Sequence, residues 1–221
     1  MSGTKIAVNA KTSKPNSAGQ KVVISCFDIN SKDSIKRKNA RKKALIDTTS
    51  NKCLFDVIDN RKKILVNNKP FVELHNKNTV LKYSKDIESI ATGYGISPRL
   101  VKAIMYMEQT HGWYDIVLDL AGKNKSILPM NINIDYWGEF VGTREQLHDP
   151  IFNITQGVKM LYLLKIHLGN KYNIANIATL YNDHNAVIVS EYGARVEYIY
   201  AKELWLIVDS LNLEFKPFGY P

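Results

Sequence analysis

Ser97-Pro98-Arg99-Leu100-Val101-Lys102-Ala103-Ile104-Met105-Tyr106-Met107-Glu108-Gln109-Thr110-His111 is the stretch on which the reading of this chain turns. Ser97 suits a helix N-cap, and Pro98 suits the first helical position, where no amide donor is needed. Val101, Ile104, Met105 and Glu108 follow the i, i+3, i+4, i+7 spacing of one helix face. Three of the four are apolar and the fourth is an acid. A Glu on a core-facing stripe near a helix C-terminus meets two effects that disfavour its charge: desolvation and the negative end of the helix dipole. Such a carboxyl suits general-acid work. Placed at the stripe's edge, the same residue would be merely solvated or paired, and this helix alone does not decide between the two.

The flanking sequence sets the frame. At 221 residues the chain has room for an ordinary domain and a smaller appendage, and 45% hydrophobic residues can build a sizeable core. No uninterrupted apolar run is long enough to span a bilayer. The first ten residues lack the apolar segment of a signal peptide, so delivery is expected either without a leader or after its removal. Cys26 and Cys53 can form one bridge in an oxidising compartment, but their spacing does not prove it, and they lack partners for a zinc site. No cofactor is expected. The net charge of +9 is unevenly placed: residues 1–84 carry 18 Lys and Arg against 6 Asp and Glu, and the remainder 12 against 15. The basic block peaks at Lys36-Arg37-Lys38-Asn39-Ala40-Arg41-Lys42-Lys43. It suits an anionic partner or a solvated face. Without interleaved aromatics it makes a poor single-strand stacking site, and no nucleic-acid partner is expected.

Taken in order, residues 1–20 read as a polar tail. Val22–Phe27 and Lys52–Ile58 are β-prone, residues 31–43 are polar with helical potential, and Ile64–Leu74 resembles a hairpin. Residues 1–84 are therefore expected to form a basic tail and a small β-containing module, with a second domain over 85–221. In that domain helices are expected at Ser84–Tyr94, at Asp149–Gly169 by the Asp-Pro start and Gly stop, at Asn173–Tyr181 and at Tyr192–Leu211. The long helix from Asp149 should bury Ile154, Gly157, Val158, Leu161, Leu164 and Leu168. Residues 112–148 read as a long irregular segment, which is more often functional than accidental. The expected class is α+β, mostly α.

Several landmarks over residues 85–205 resemble the lysozyme-like lytic transglycosylases. Gly95 to Ile104 looks like the family's opening helix, with Glu108 in the place of its catalytic Glu. Pro129-Met130-Asn131-Ile132-Asn133 and Trp137-Gly138 resemble the substrate-binding Gly-Leu-Met-Gln-Ile-Asn segment and the Trp after it. Asp149-Pro150, Asn153-Ile154 and Gly157 match the pattern of the next helix. Ala178-Thr179-Leu180-Tyr181-Asn182 resembles Ala-Tyr-Asn, and a final helix with Tyr198 and Tyr200 also fits. The chain departs from the pattern where Gln109 replaces the Ser after the acid, where Asn131 replaces Gln, where Leu128-Pro129 replaces Gly-Leu, and where no Gly follows Tyr181-Asn182.

The resemblance implies a lysozyme-like helical domain that cleaves the MurNAc–GlcNAc β-1,4 bond of peptidoglycan. Glu108 would act as acid and then base, leaving a 1,6-anhydromuramoyl end. Tyr181 would orient Glu108 or bind sugar, and Met130, Asn131, Asn182 and Trp137 would line the cleft. Residue by residue, plainer roles stand beside these: core packing for Tyr181 and Trp137, loop or helix capping for Asn131 and Asn182. A carboxylate among Asp115, Asp119, Asp135 and Glu139 near Glu108 would instead suit a hydrolytic muramidase. His111 and His184 read as ordinary polar residues. The expected setting is the bacterial periplasm or wall, reached as an antibacterial effector or a phage-type wall hydrolase. Its partners would be glycan strands, a secretion-apparatus carrier and an immunity protein plugging the cleft. The competing class is a non-catalytic binder that uses Lys36–Lys43.

Overall fold

A computed structural model describes residues 26–46, 53–60, 77–111 and 126–206, and the account below concerns these. They form a mostly helical structure. Two short helices come first, α1 (Cys26–Ile29) and α2 (Ser34–Ile46), then α3 (Lys77–Lys82), α4 (Ser84–Gly93) and α5 (Pro98–His111). A two-residue hairpin follows, β1 (Ser126–Ile127) antiparallel to β2 (Ile132–Asn133), pairing Ser126 with Asn133 and Ile127 with Ile132. Then come α6 (Ile134–Trp137), α7 (Arg144–Leu147), α8 (Pro150–Leu168), α9 (Ile174–Asn182) and α10 (Glu191–Lys202). No helix among the described residues is long and apolar enough to cross a membrane.

Helix α5 is the axis of the core. Leu100, Val101, Ala103, Ile104, Met105, Tyr106 and Met107 are all buried, so apolar contact surrounds the helix instead of touching one stripe. That is why Glu108, on the same helix, is only 6% exposed. The six expected inward residues of α8 are buried, and the helix starts as its sequence implies: the Asp149 side chain accepts from the Phe152 amide at 2.7 Å. Asn173 caps α9 in the same way, accepting from Asn176 at 2.7 Å. Helices α9 and α10 cross closely at Gly193. A Cβ there would lie 2.1 Å from Thr179 Oγ1 and 2.4 Å from the Ala175 carbonyl, so only glycine allows the approach.

Several expectations need correction. The last helix stops at Lys202 rather than near Leu211, because Glu203 turns into the left-handed region at φ 49°. Tertiary contacts overrule the helical pattern here. Arg99 Nη2 donates to the Ala201 carbonyl at 3.0 Å and pairs with Glu203, while the following turn buries Trp205 in the core. The β-prone reading of Val22–Phe27 fails where the structure describes it, since helix begins at Cys26. Residues 53–58 are extended, with a single parallel bridge between Ile58 and Ile188. The expected hairpin at 64–74 and the polar tail lie outside the described residues. Part of the irregular segment is ordered into β1, β2, α6 and α7; residues 112–125, with Asp115 and Asp119, lie outside the description.

Residues on both sides of Ser84 share one continuous core: Ile29, Ala44, Leu45, Phe55 and Val57 pack with the residues of α5 and α8. The junction is specific. Phe55 stacks on His167 of α8, with ring centroids 4.6 Å apart, and the Arg41 guanidinium lies over the Phe55 ring, 4.8 Å from its centroid. The Phe55 amide donates to the His167 carbonyl at 2.8 Å. Arg41 is 0% exposed and donates to the carbonyls of Ile29, His184, Ala186 and Asp56 and to Asn30 Oδ1. Burial pushes its pKa down to about 10, with the Arg37 charge adding to the effect, so it remains charged at neutral pH. A buried cation needs this density of acceptors. The basic run is thus not simply a solvated face: Arg37 and Arg41 point inward. Cys26 and Cys53 are joined in a disulfide, their Cα atoms 5.2 Å apart, which ties α1 to the extended segment.

Candidate active site

The site is built from the loop between β1 and β2 upward. Asn153 of α8 is fully buried beneath that loop. Its Oδ1 takes the Met130 amide at 2.9 Å, and its Nδ2 donates to the carbonyls of Ile127 at 2.9 Å and Leu147 at 3.1 Å. One side chain therefore bonds three backbone groups, from β1, the loop after it and the end of α7. One turn on, Gly157 leaves space for Met130: a Cβ would lie 2.8 Å from Met130 Cε and 3.0 Å from its Cβ. The Asn-Ile and Gly spacing noted in the sequence thus has a packing cause. Asn131, next in the loop, adopts the left-handed conformation at φ 56°, which Asn tolerates better than most residues.

This geometry aims the Asn131 amide at Glu108. Nδ2 donates to Glu108 Oε2 at 2.7 Å, and the Tyr192 hydroxyl donates to Glu108 Oε1 at 2.5 Å. Tyr192 stands on the first turn of α10, whose cap Ser190 accepts from Gly193 at 3.2 Å. The close crossing at Gly193 brings that turn against Glu108. Burial first, then the Glu108 charge, pushes the Tyr192 hydroxyl well above the ordinary phenol range, so it stays a neutral donor. Tyr181 is pushed up by the same two causes.

Glu108, Asn131, Trp137, Tyr181 and Asn182 line one cavity of about 300 Å³. Its other walls include Lys38, Asn133, Tyr136, Asp183 and His184. Asn131 Oδ1 is buried without a hydrogen-bond partner among the described residues. An amide can turn over at little cost, so Asn131 can donate to a carboxylate or accept from a carboxylic acid or a ligand N–H.

Two expected roles need revision. Met130 does not line the cavity; its side chain is fully buried, and its contribution is a carbonyl that accepts the Tyr181 hydroxyl at 2.8 Å. Tyr181 therefore braces the loop with its hydroxyl and faces the cavity with its ring, while Tyr192 is the hydroxyl on Glu108. Trp137 both lines the cavity and packs, edge-on to Tyr136 at 5.0 Å and 5.5 Å from the His184 ring. Asp135 is exposed and lies 3.7 Å from Arg144; it is not among the cavity walls, whereas Asp183 is.

The far wall was not foreseen. His184, 7% exposed, hydrogen-bonds Tyr136 through Nε2 at 2.7 Å and faces the Lys38 carbonyl at 3.3 Å. Burial pushes its pKa down to about 4, against the pull of Asp183, so the ring is neutral at pH 7. Burial, with Asp183 next, pushes Tyr136 up to about 12. Tyr192 left one local signal, a Ser-x-x-Gly start to its helix. The wall from α2 left none, because its contacts bridge 94 to 146 residues of chain.

The arrangement offers a nearly buried carboxyl on a cavity wall, held by two hydrogen-bond donors, with polar and aromatic groups and the charged Lys38 and Asp183 around it. No family model matches the chain, no curated protein matches it, and no solved structure matches it.

Proposed function

We propose that the chain cleaves the MurNAc–GlcNAc β-1,4 bond of peptidoglycan as a lysozyme-like lytic transglycosylase, with Glu108 as the proton-transfer group. The observation that carries this reading is Glu108 itself: 6% exposed, on the floor of a cavity, with Tyr192 and Asn131 fixing its two oxygens. An acid so held can protonate the bridging oxygen of a sugar–sugar bond without losing its orientation.

The chemistry then runs on one carboxyl. Glu108 gives its proton to the glycosidic oxygen, and the bond from that oxygen to C1 breaks. The acetamido carbonyl oxygen of the same sugar closes on C1 and takes up the positive charge. The 6-hydroxyl then attacks C1, displaces the acetamido oxygen and returns its proton to Glu108. The product carries a 1,6-anhydro ring and no water is consumed. The unpaired Asn131 Oδ1 suits the acetamido N–H, and the Tyr181, Tyr136 and Trp137 rings suit sugar faces.

Asp183 supports a second reading. It lines the same cavity, and a second carboxylate about 5–10 Å from the acid would allow hydrolysis by a muramidase. The setting we propose is an antibacterial effector acting in the periplasm or wall, with an immunity protein able to plug the cleft.

Mass analysis of digested peptidoglycan tests all of this. Anhydro-muropeptides are expected from the wild type, with release reduced about 10²–10⁴-fold in Glu108→Gln, the range for loss of a general acid. Reducing ends would select the muramidase. Undiminished release by a folded Glu108→Gln variant would remove Glu108 from the chemistry.

A further inference from the structure

The basic helix α2 forms one wall of the cavity that holds Glu108, and Lys38 is the wall's only cation at neutral pH among the described lining residues. Its placement is not casual. Arg37, the residue before it, donates to the carbonyls of Asn185 at 3.0 Å and Ser31 at 2.6 Å. Arg41, one turn later, is locked among five acceptors. Lys38 and Lys42 share a helix face, and both ammonium groups lie over the Tyr136 ring, 5.1 Å and 4.2 Å from its centroid. Lys42 is engaged, donating to the Tyr136 carbonyl. The backbone carbonyl of Lys38 is engaged by His184, but its ammonium makes no hydrogen bond or ion pair with a described residue, and its donors stand at the cavity wall beside the Tyr136 ring. Asp183, the other charged wall residue besides Glu108, has one carboxylate oxygen occupied by the Asn185 amide at 2.9 Å.

We propose that Lys38 is a specificity-determining residue that binds a carboxylate carried by the sugar seated over Glu108. This rests on the glycan-cleaving reading of the same site. Two sources can supply that carboxylate in a wall polymer: the lactyl arm of the muramoyl sugar once its peptide is removed, or an acidic residue of the attached stem peptide. A positively charged wall favours either over a neutral N-acetylglucosamine polymer. The Arg37 and Arg41 anchors hold the α2 backbone, and the Tyr136 ring lies against the Lys38 ammonium, so the base of the side chain is already placed before binding.

Binding in the uncleaving Glu108→Gln background tests it with three probes of equal length: a neutral chitin oligomer, glycan stripped of peptide by an amidase, and peptide-bearing glycan. At low salt at least one anionic probe is expected to bind about threefold to fivefold more tightly than the neutral one, the range for a partly exposed ion pair. The advantage should shrink as salt is added, vanish with Lys38→Gln and persist with Lys38→Arg. Which anionic probe carries it identifies the source of the carboxylate. Equal binding of all three probes, or an advantage that survives Lys38→Gln, overturns the proposal. Wild-type digestion of sacculi keeps the two readings separate. A Lys38-dependent preference without muropeptide release leaves the subsite and removes the enzyme, whereas release without the preference does the reverse.

Discussion

The floor and the far wall of the cavity are held by different physics. The floor is Glu108 on α5 and the Met130–Asn131 loop. It is set by a helix buried along most of its surface and by one asparagine, Asn153, that bonds backbone groups of β1, the loop and the end of α7. The wall is α2 with Lys38. It is set by a buried guanidinium that answers carbonyls from three separate segments, and by a disulfide. A floor built on apolar packing degrades gradually when one group is trimmed. A wall built on a buried cation has few contacts of high individual cost, because each abandoned acceptor keeps its desolvation penalty. The wall is therefore the more fragile part, and its contacts are the ones that complete the cavity.

The sharpest way to break the contrast is Arg41→Met. It leaves five acceptors, two of them in buried hydrogen bonds and three in part-buried ones, without their donor and is expected to cost about 3–5 kcal/mol, read as a drop in the urea midpoint. A loss under about 1 kcal/mol would mean that water or a rearranged side chain replaces the guanidinium. Opening the Cys26–Cys53 bridge, by reduction or by paired Ser substitutions, comes next. It spans a sequence separation of 27 residues, and a loop of that size constrains the unfolded chain by about 3–4 kcal/mol. Hydrogen exchange should then rise first in α1 and α2, and later in α5; simultaneous loss would show that wall and floor unfold as one unit.

pH separates the two regions more finely. The unfolded chain protonates His184 near 6.5, and the folded chain resists until about pH 4. The unfolded state therefore binds more protons inside that window. The contribution of His184 is intact above pH 6.5 and is lost progressively as pH falls toward 4, by about 3 kcal/mol at full extent. Denaturant melts at pH 7, 5.5 and 4.5 should show that slope in the wild type, and His184→Gln should flatten it even if less stable at pH 7. The smallest effect belongs to the floor. Tyr192→Phe removes one hydrogen bond to Glu108 and should slow muropeptide release about tenfold, equivalent to about 1.4 kcal/mol. Tyr181→Phe should act mainly on stability, by about 1 kcal/mol, since its hydroxyl is bound to the Met130 carbonyl.

The residues legible along the chain were those whose partners are near in sequence or whose period is regular. Pro98 and Asp149-Pro150 start their helices where capping rules put them, and the α8 stripe points inward as spaced. Glu108, Asn131, Trp137, Tyr181 and Asn182, which the motifs singled out, line one cavity. Failures came where distant contacts outweighed local preference. Trp205 and Arg99 end the last helix early, and the β-prone run of residues 22–27 is helix at its described end, Cys26 and Phe27. Met130 sits in the core rather than the cleft because Gly157 leaves room for its side chain.

By itself the sequence determined the helices, the mostly apolar face around one acid, and the loop that returns to it, because capping, periodicity and turn chemistry act within a few residues. Only the tertiary structure decided that Tyr192 rather than Tyr181 holds Glu108, that His184 is buried and neutral, and that a basic helix closes the cavity with Lys38. Those outcomes depend on which distant carbonyls a buried arginine can reach and how closely a glycine lets two helices cross. No spacing along the chain encodes either distance.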